Sequence, residues 1–211
     1  MTTITSCRFC NIANGNYHHI EIDKPFADNN EFMAVASIGA LVEGWSLIIP
    51  KEHQLSMRDV YTDSIFSNFV NSIVPVLNKK YGSLIAFEHG SNKEGSITSC
   101  GTDHAHLHLV PFKETLLPAL MNTGLNWMSC KSSEVRLKAG RGEYLFYSEL
   151  KSQEKWQDPI GYFHFLKTPI SQFFRQVIAS QLGITESYDY RKFPNLENAR
   201  QTRKVLAEST I

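Results

Sequence analysis

Three histidines at alternate positions, His104, His106 and His108, constrain this chain more than any other feature. Successive side chains of an extended strand point to opposite faces, so this spacing predicts that the three imidazoles share one face. An ordinary half-buried strand carries Thr, Lys or Glu at such positions. A row of imidazoles can instead attack an electrophile, bind a metal or donate to an anion. The pattern therefore indicates a chemical site built on a strand.

Size and charge limit the class of protein. The 211 residues can bury a substantial core, and one domain with elaborations fits this length better than two. Lys and Arg number 21, as do Asp and Glu, so bulk electrostatics predict no nucleic-acid partner. The apolar runs are too short to cross a membrane, and residues 1–7 lack the pattern of a secretory signal. We therefore expect a cytoplasmic protein that meets its ligand in a local pocket.

Hydrophobic periodicity predicts an antiparallel sheet with helices packed against it. Strand patterns cover residues 31–36, 45–49, 84–88 and 102–110, and a helical period covers 62–81. Thr62 or Asp63 can cap that helix, and Pro75 inside it predicts a kink or an early break. The order strand, strand, helix, strand, strand is typical of an α+β fold.

The second half of the chain predicts a C-terminal α/β elaboration. Its pattern indicates helices at 114–121, 171–182 and 195–207, and strands at 143–147 and 161–166. We therefore divide the chain into a catalytic core, 1–113, and an extension, 114–211, packed on the same domain. Arg175-Gln176 and the run Tyr190-Arg191-Lys192 could reach a phosphate, but solvated surface charge is the commoner role of such residues.

His106, the central histidine of the row, is the best candidate for a nucleophile. An imidazole attacks at neutral pH when one nitrogen is unprotonated and an acceptor holds the other, and a backbone carbonyl of an adjacent segment could be that acceptor. Its natural electrophile is phosphorus, and the product of the attack is a phosphoramidate. His108 would lie beside it and donate to a phosphate oxygen or to the leaving group.

The loop before the histidine row is suited to holding a phosphate. Its residues Ser99, Cys100, Gly101 and Thr102 combine a flexible glycine, backbone N–H groups and two hydroxyls. Positioning and charge stabilisation are most of what a phosphate group needs from a protein.

Cys7 and Cys10 form a Cys-x-x-Cys pair, which can share one metal ion. Without an export signal, such cysteines are expected to be thiols or metal ligands. Two further ligands would complete a tetrahedral zinc site. His53 and His104 are candidates, and His18 and His19 compete with His53 because they lie closer in sequence to the cysteines.

These motifs resemble the histidine triad family, whose signature is His-x-His-x-His followed by apolar residues. The match here is His104-Ala-His106-Leu-His108-Leu-Val-Pro. Three supporting segments follow the family's order, and they are Cys7–Gly15, Gly44–His53 and Phe87–Gly90.

The resemblance implies a nucleotidyl hydrolase or transferase acting on phosphate-linked nucleotides, such as dinucleoside polyphosphates or nucleoside phosphoramidates. It implies that His106 takes the nucleotidyl group and that His108 assists. Glu88, in the segment just upstream of the triad loop, then joins the loop as a substrate- or phosphate-binding residue. Family members are usually dimers, so a homodimer is expected.

The resemblance also selects the metal ligands. In zinc-containing members a structural zinc ion is held by the cysteine pair, the later histidine and the first triad histidine. The corresponding residues here are Cys7, Cys10, His53 and His104. Such a site would tie the N-terminus to the catalytic strand, so loss of the metal should lower both stability and activity.

Two departures from the family pattern leave alternatives open. Ser37 stands where the family often has an acidic residue for the ribose hydroxyls, and Gly101 where many members have Ser or Thr. Both predict an altered substrate preference. The alternatives to a hydrolase are a nucleotidyl transferase or phosphorylase with the same histidine intermediate, a nucleotide-binding protein with negligible turnover and, more weakly, a zinc-organised interaction module.

Overall fold

The computed structural model describes residues 7–151 and 154–209. The expectation about a secretory signal therefore rests largely on residues outside this part of the chain. The helices are α1 (Arg8–Ala13), α2 (Ile20–Asp23), α3 (Ser64–Tyr81), α4 (Leu117–Met121), α5 (Val135–Ala139), α6 (Phe173–Gln181) and α7 (Leu196–Ala207). The strands are β1 (Ala27–Asp28), β2 (Phe32–Ala36), β3 (Ser46–Pro50), β4 (Leu84–Gly90), β5 (Leu107–Pro111), β6 (Met128–Lys131), β7 (Glu143–Leu150) and β8 (Ile160–Leu166).

The strands form one sheet of eight in the order β1-β2-β3-β5-β4-β7-β8-β6, and every pair is antiparallel. The predicted α+β class is confirmed. The strand predicted at 102–110 is shorter than expected, because the chain bends at His104 and β5 begins only at Leu107. His108 is therefore the only one of the three histidines inside a strand.

Alternation along the central strands gives the sheet two apolar faces. Leu84 and Ala86 of β4 pack in the core beneath α3, whereas Ile85 and Phe87 pack in the core on the opposite face, beneath α6. In β5, Leu107 and Leu109 point towards α3. His108 therefore points towards α6.

Helix α3 excludes one of the two alternatives predicted at Pro75, and the kink stays a prediction. Asp63 caps its start by accepting a hydrogen bond from the Ile65 N–H, and Gly82 ends it with a φ of 87°. The predicted early break is wrong, since the helix continues through Pro75 to Tyr81. Packing of its buried face against the sheet offsets the one backbone hydrogen bond that proline cannot donate.

The C-terminal extension continues the sheet of the predicted core. Strand β7 pairs with β4 along its whole length, from Leu84 opposite Leu150 to Gly90 opposite Tyr144. Helix α6 covers the face of β4 that carries Phe87, and its Phe174 ring stacks on Phe87 at 4.5 Å. Among the described residues, no helix is long and apolar enough to span a membrane.

Candidate active site

His106 and His108 lie side by side on the α6 face of the sheet. Their ring centroids are 4.7 Å apart, and the His108 ring stacks on Phe87 of the neighbouring strand at 4.4 Å. His104 departs from the predicted row, because the bend brings its Nδ1 to 3.3 Å from the Cys7 sulfur. The three imidazoles thus divide into a pair at a cavity and a single ring in a cluster of cysteines.

A backbone hydrogen bond fixes the tautomer of His106. Its Nδ1 lies 2.8 Å from the carbonyl oxygen of His104, so Nδ1 carries the proton and Nε2 keeps its lone pair. The carbonyl belongs to the same segment, two residues upstream, and not to an adjacent one. Burial lowers the pKa of His106, and the nearby charge of Arg8 adds to this effect. The ring is therefore neutral at pH 7, the state that a nucleophile requires.

His108 is held in the opposite tautomer. The indole Nε1–H of Trp45 donates to Nδ1 of His108 at 2.9 Å, and an indole can only donate. The proton of neutral His108 must therefore be on Nε2. Burial lowers the pKa of His108 well below its usual value, and the charges of His106, His89 and Arg175 lower it further. The lone pair of His106 Nε2 thus lies on a ring next to His108, whose Nε2–H is a donor.

The two rings line a cavity of about 540 Å³, its open mouth included. The cavity is also lined by His89 and Arg8, and by Arg175 and Tyr190 from the C-terminal extension. No Asp or Glu among the described residues lines it.

The predicted phosphate loop reaches this cavity in part. Ser99, Cys100 and Thr102 line it, whereas Gly101 lines a neighbouring surface depression. The hydroxyl of Ser99 is already engaged, 2.7 Å from a carboxylate oxygen of Asp103. The loop is therefore a fixed wall of the cavity.

The C-terminal extension locks this loop. The Cys100 carbonyl accepts a hydrogen bond from the Tyr190 hydroxyl at 2.7 Å, and the Cys100 sulfur accepts one from the Gln172 N–H at 3.0 Å. Cys100 itself has a left-handed backbone, with a φ of 58°. The cavity is thus assembled from both halves of the chain.

Glu88 lies away from the cavity. It directly precedes His89 in β4, so alternation places its side chain on the α3 face. Its carboxylate accepts hydrogen bonds from the Met57 N–H at 2.6 Å and from the hydroxyls of Tyr61 and Tyr144 at 2.7 and 2.6 Å. Burial raises its pKa, and these three donors oppose that shift. The structure thus gives Glu88 a place in a buried hydrogen-bond network and no contact with the cavity.

Cys7, Cys10, His53 and His104 form a compact group whose four ligand atoms lie within 4.8 Å of one another. Nδ1 of His104 is 3.6 Å from the Cys10 sulfur, and Nδ1 of His53 is 3.2 Å from that sulfur. Nε2 of His104 is 2.8 Å from the Pro50 carbonyl, so it holds the proton and leaves Nδ1 for a metal.

The competing ligand candidates lie elsewhere. His18 and His19 are exposed, and their backbone N–H groups donate to Asp23 at 3.0 and 2.8 Å. The group that could bind a metal is thus the one that the family resemblance implies.

Arg175 is the residue whose place the sequence analysis missed. The expectation of surface charge is wrong, because only 4% of Arg175 is exposed and its guanidinium lies 4.9 Å from the Trp45 ring. The helical period contained the signal, since Arg175 lies three residues before Ile178 and four before Ala179, both buried. Trp45 was missed as well, because its indole could not be paired with His108 without the fold.

Comparisons with known proteins find similarity to adenosine 5'-monophosphoramidases and to histidine triad proteins. No protein-family model matches the chain. The adenosine 5'-monophosphoramidase hnt1 of Schizosaccharomyces pombe is 27% identical over 136 residues, which cover 64% of this chain and 92% of that protein. The adenosine 5'-monophosphoramidase HNT1 of Candida albicans is 27% identical over 127 residues, or 54% of this chain and 75% of that protein.

Two solved structures are also similar. A Hit-like protein of Bartonella henselae has a TM-score of 0.41 at 16% identity, over 52% of this chain and 80% of its own. A Zn-bound histidine triad family protein of Mycobacterium smegmatis has a TM-score of 0.39 at 21% identity, over 52% of this chain and 76% of its own. Superpositions at this level support no conclusion by themselves.

The sequence motif provides two histidines, His106 and His108, whose tautomers are fixed by hydrogen bonds. Both line a cavity that also contains Arg8 and Arg175. Together with the curated relatives, these features make the chain similar to histidine triad proteins.

Proposed function

We propose that this chain is a hydrolase that cleaves phosphate-linked nucleotides, with His106 as its nucleophile. The observation that carries the proposal is the hydrogen bond from His106 Nδ1–H to the His104 carbonyl. It leaves Nε2 as a neutral nucleophile in the wall of the cavity, beside the Nε2–H donor of His108. The curated relatives, both named adenosine 5'-monophosphoramidases, support a nucleotide as the substrate.

The first step would form a bond between His106 Nε2 and phosphorus. The bond from phosphorus to the leaving group breaks, and the leaving group takes the bonding electron pair. A phosphate departs as an anion, whereas an amine also takes one proton from solvent. Because Nδ1 keeps its proton, the modified ring carries a positive charge next to the His104 carbonyl. His108 Nε2–H would donate to a phosphoryl oxygen and stabilise the negative charge that gathers there.

The second step would return the enzyme to its starting state. Water forms a new bond to phosphorus while the bond from phosphorus to His106 breaks, and the electron pair returns to Nε2. One proton of that water passes to solvent. The products are the nucleoside monophosphate and the regenerated neutral imidazole, so atoms and charge balance over the two steps.

We further propose that Cys7, Cys10, His53 and His104 hold a structural zinc ion. Tetrahedral zinc, with bonds of about 2.3 Å to sulfur and about 2.0–2.1 Å to nitrogen, separates such ligands by about 3.5 Å. The sulfur–nitrogen distances of 3.2, 3.3 and 3.6 Å in the structure fit that geometry. When bound, the ion would supply cross-linking, since it joins α1 to the segment that carries His106.

The test is turnover by purified protein on dinucleoside polyphosphates and nucleoside phosphoramidates. We expect release of a nucleoside monophosphate, and loss of that release in His106→Ala with the melting temperature retained. His19→Ala, at an exposed histidine, is the matched control and should match wild type. Equal turnover by His106→Ala would contradict the proposal, as would tight nucleotide binding without turnover on every substrate.

Product analysis separates hydrolysis from transfer to another acceptor. In the hydrolase, the rate and the product do not depend on added orthophosphate. Formation of a nucleoside diphosphate only when orthophosphate is present would assign a phosphorylase instead. The homodimer and the cytoplasmic location stay predictions.

A further inference from the structure

Arg175 is a buried cation that faces the cavity. It forms no ion pair with any Asp or Glu of residues 7–151 and 154–209. Burial lowers its pKa to about 10, so it keeps its charge at neutral pH. A buried charge without a partner is unfavourable unless another group compensates it. The cavity is the place from which a compensating anion can approach.

Arg175 is held rigidly in this position. Its Nε donates to the Tyr188 carbonyl at 2.8 Å, and its Nη2 donates to the Gly39 carbonyl. The guanidinium also lies 4.9 Å from the Trp45 ring centroid and 5.8 Å from that of Tyr190. A guanidinium has five N–H donors, so several remain for a ligand in a fork that matches phosphate.

The two arginines of the cavity are placed at different histidines. The charge of Arg8 acts on His106, whereas the charge of Arg175 acts on His108 and His89. Arg8 is already paired with Asp23, a residue buried behind it. Asp189 acts favourably on the Arg175 charge without forming an ion pair with it, so the cation that is not ion-paired lies on the His108 side of the cavity.

The same cavity offers a poor source of protons. Nδ1 of His106 is hydrogen-bonded to the His104 carbonyl, and Nδ1 of His108 accepts the Trp45 N–H, so neither Nδ1 is available to protonate a ligand. No Asp or Glu of the described chain lines the cavity. A departing amine needs a proton from a positioned acid, whereas a departing phosphoryl group is stable as an anion. The wall therefore suits an anionic leaving group.

We infer that Arg175 binds a second phosphoryl group of the substrate, so that this cavity selects nucleotides with a polyphosphate linkage over phosphoramidates with an uncharged amine. The inference rests on the proposed function and narrows its substrate class. It assigns the specificity-determining residue to α6, in the C-terminal extension.

Binding of AMP and ADP tests this inference without any turnover. By titration calorimetry at low salt, wild type should bind ADP at least tenfold more tightly than AMP, because only ADP carries the second phosphoryl group. In Arg175→Met the ratio of the two dissociation constants should fall to about 1–2, with AMP affinity changed less than ADP affinity. Arg136→Met, at an arginine whose side chain is 74% exposed, should keep the wild-type ratio.

A second variant, Arg175→Lys, keeps the inference testable if Arg175→Met does not fold. Arg175→Met leaves two carbonyls without their donor, so its circular dichroism and melting are measured first. Arg175→Lys keeps the charge but loses the fork, and it should lower the ADP-to-AMP preference at least threefold. An unchanged preference in either folded variant overturns the inference, and so does an equal loss of affinity for AMP and ADP, which indicates a purely structural role.

Turnover distinguishes this inference from the proposed function. Wild type should have a higher kcat/KM for a dinucleoside polyphosphate than for a nucleoside phosphoramidate, and Arg175→Met should lose that preference. A wild-type preference for the phosphoramidate overturns the inference and leaves the hydrolase proposal intact. Absence of all turnover with an intact ADP preference overturns the hydrolase proposal and supports the phosphoryl site.

Discussion

The indole N–H of Trp45 donates to Nδ1 of His108 across 2.9 Å, and this bond decides which nitrogen of His108 faces the cavity with a proton. Trp45 begins the run that becomes β3, and His108 lies in β5, its neighbour in the sheet. The pairing of two strands therefore sets the protonation of a proposed catalytic group. The guanidinium of Arg175 also contacts Trp45, at 4.9 Å from the centroid of its ring.

Trp45→Phe should free the His108 tautomer. Without the indole donor, Nδ1 of His108 is a buried acceptor with no partner from Trp45, and the ring can move its proton to Nδ1. We expect kcat to fall by about 10–100-fold with a smaller change in KM, and stability to fall by about 1–3 kcal/mol. Nitrogen chemical shifts of His108 report the tautomer directly and need no substrate.

Trp156→Phe is the matched control for that substitution. Trp156 is also fully buried, but its indole N–H has no hydrogen-bond partner among residues 7–151 and 154–209. The control should lose some stability and keep wild-type kinetics. Unaltered kinetics and an unaltered His108 tautomer in Trp45→Phe would contradict the role assigned to this bond.

The cysteine pair should bind one zinc ion per chain. Cys10→Ser removes the sulfur that lies 3.2 Å from His53 Nδ1 and 3.6 Å from His104 Nδ1, so we expect zinc in the purified protein to drop from about one equivalent to near zero. Because the ion would join α1 to the segment of His106, a chelator should lower the melting temperature of wild type. Elemental analysis and thermal unfolding measure both effects.

Cys130→Ser is the control for zinc binding, since Cys130 is buried outside the group that could hold a metal. It should keep the full zinc content. A zinc content near zero in wild type, or full occupancy in Cys10→Ser, would refute the metal site.

The sequence predicted the antiparallel α+β class of the fold better than the shape of the histidine row. Strict alternation placed all three histidines on one strand face, yet the bend at His104 removes two of them from β5. The bend lets the His104 carbonyl reach Nδ1 of His106, a contact between residues two apart that an extended strand does not make. Local periodicity does not encode this deviation.

Long-range contacts explain what the sequence could not supply. The helical period places Arg175 on the buried face of its helix, but only the tertiary structure shows that the rings of Trp45 and Tyr190 lie close to its guanidinium. Glu88 gained its predicted role from neighbours in sequence. The pleat turns its side chain to the face where Tyr61 and Tyr144 donate to it.

Gly39→Ala should detach the C-terminal segment from the cavity. Gly39 has a φ of +77°, and a Cβ there would lie 2.3 Å from the Cβ of Tyr190. The clash would displace Tyr190 and Arg175, so we expect a loss of stability well above the roughly 1 kcal/mol of backbone strain alone. Urea unfolding measures the change.

Gly15→Ala is its matched control, because Gly15 has a similar φ of +79° but no atom of the described part of the chain within 4 Å of the added Cβ. The difference between the two variants isolates the packing of the extension. Equal destabilisation by both substitutions would show that the close approach of Tyr190 does not matter.

Acid should destabilise the protein partly through His89. Burial lowers its pKa to about 3, and the charges of His106 and Arg175 act in the same direction. The unfolded imidazole titrates near its ordinary pKa of about 6.5. Between these values the unfolded chain binds a proton that the folded chain does not, so the free energy of unfolding falls as pH drops from about 6.5 towards 3.

His89→Gln should therefore make the free energy of unfolding less dependent on pH between 6.5 and about 4, while His108 still contributes. Urea unfolding at a series of pH values measures the slope, and His19→Gln, at an exposed site, should keep it as in wild type. A slope in His89→Gln as steep as that of wild type would contradict the assignment.

Detection of a nucleotidyl group on His106 tests the central claim most directly. Wild type mixed with a dinucleoside polyphosphate, quenched rapidly in alkali and digested, should yield a peptide carrying the nucleotidyl mass, and fragmentation should place that mass on His106. His106→Ala should yield no such adduct. An adduct on another residue of wild type, or hydrolysis by His106→Ala at the wild-type rate, would contradict the account.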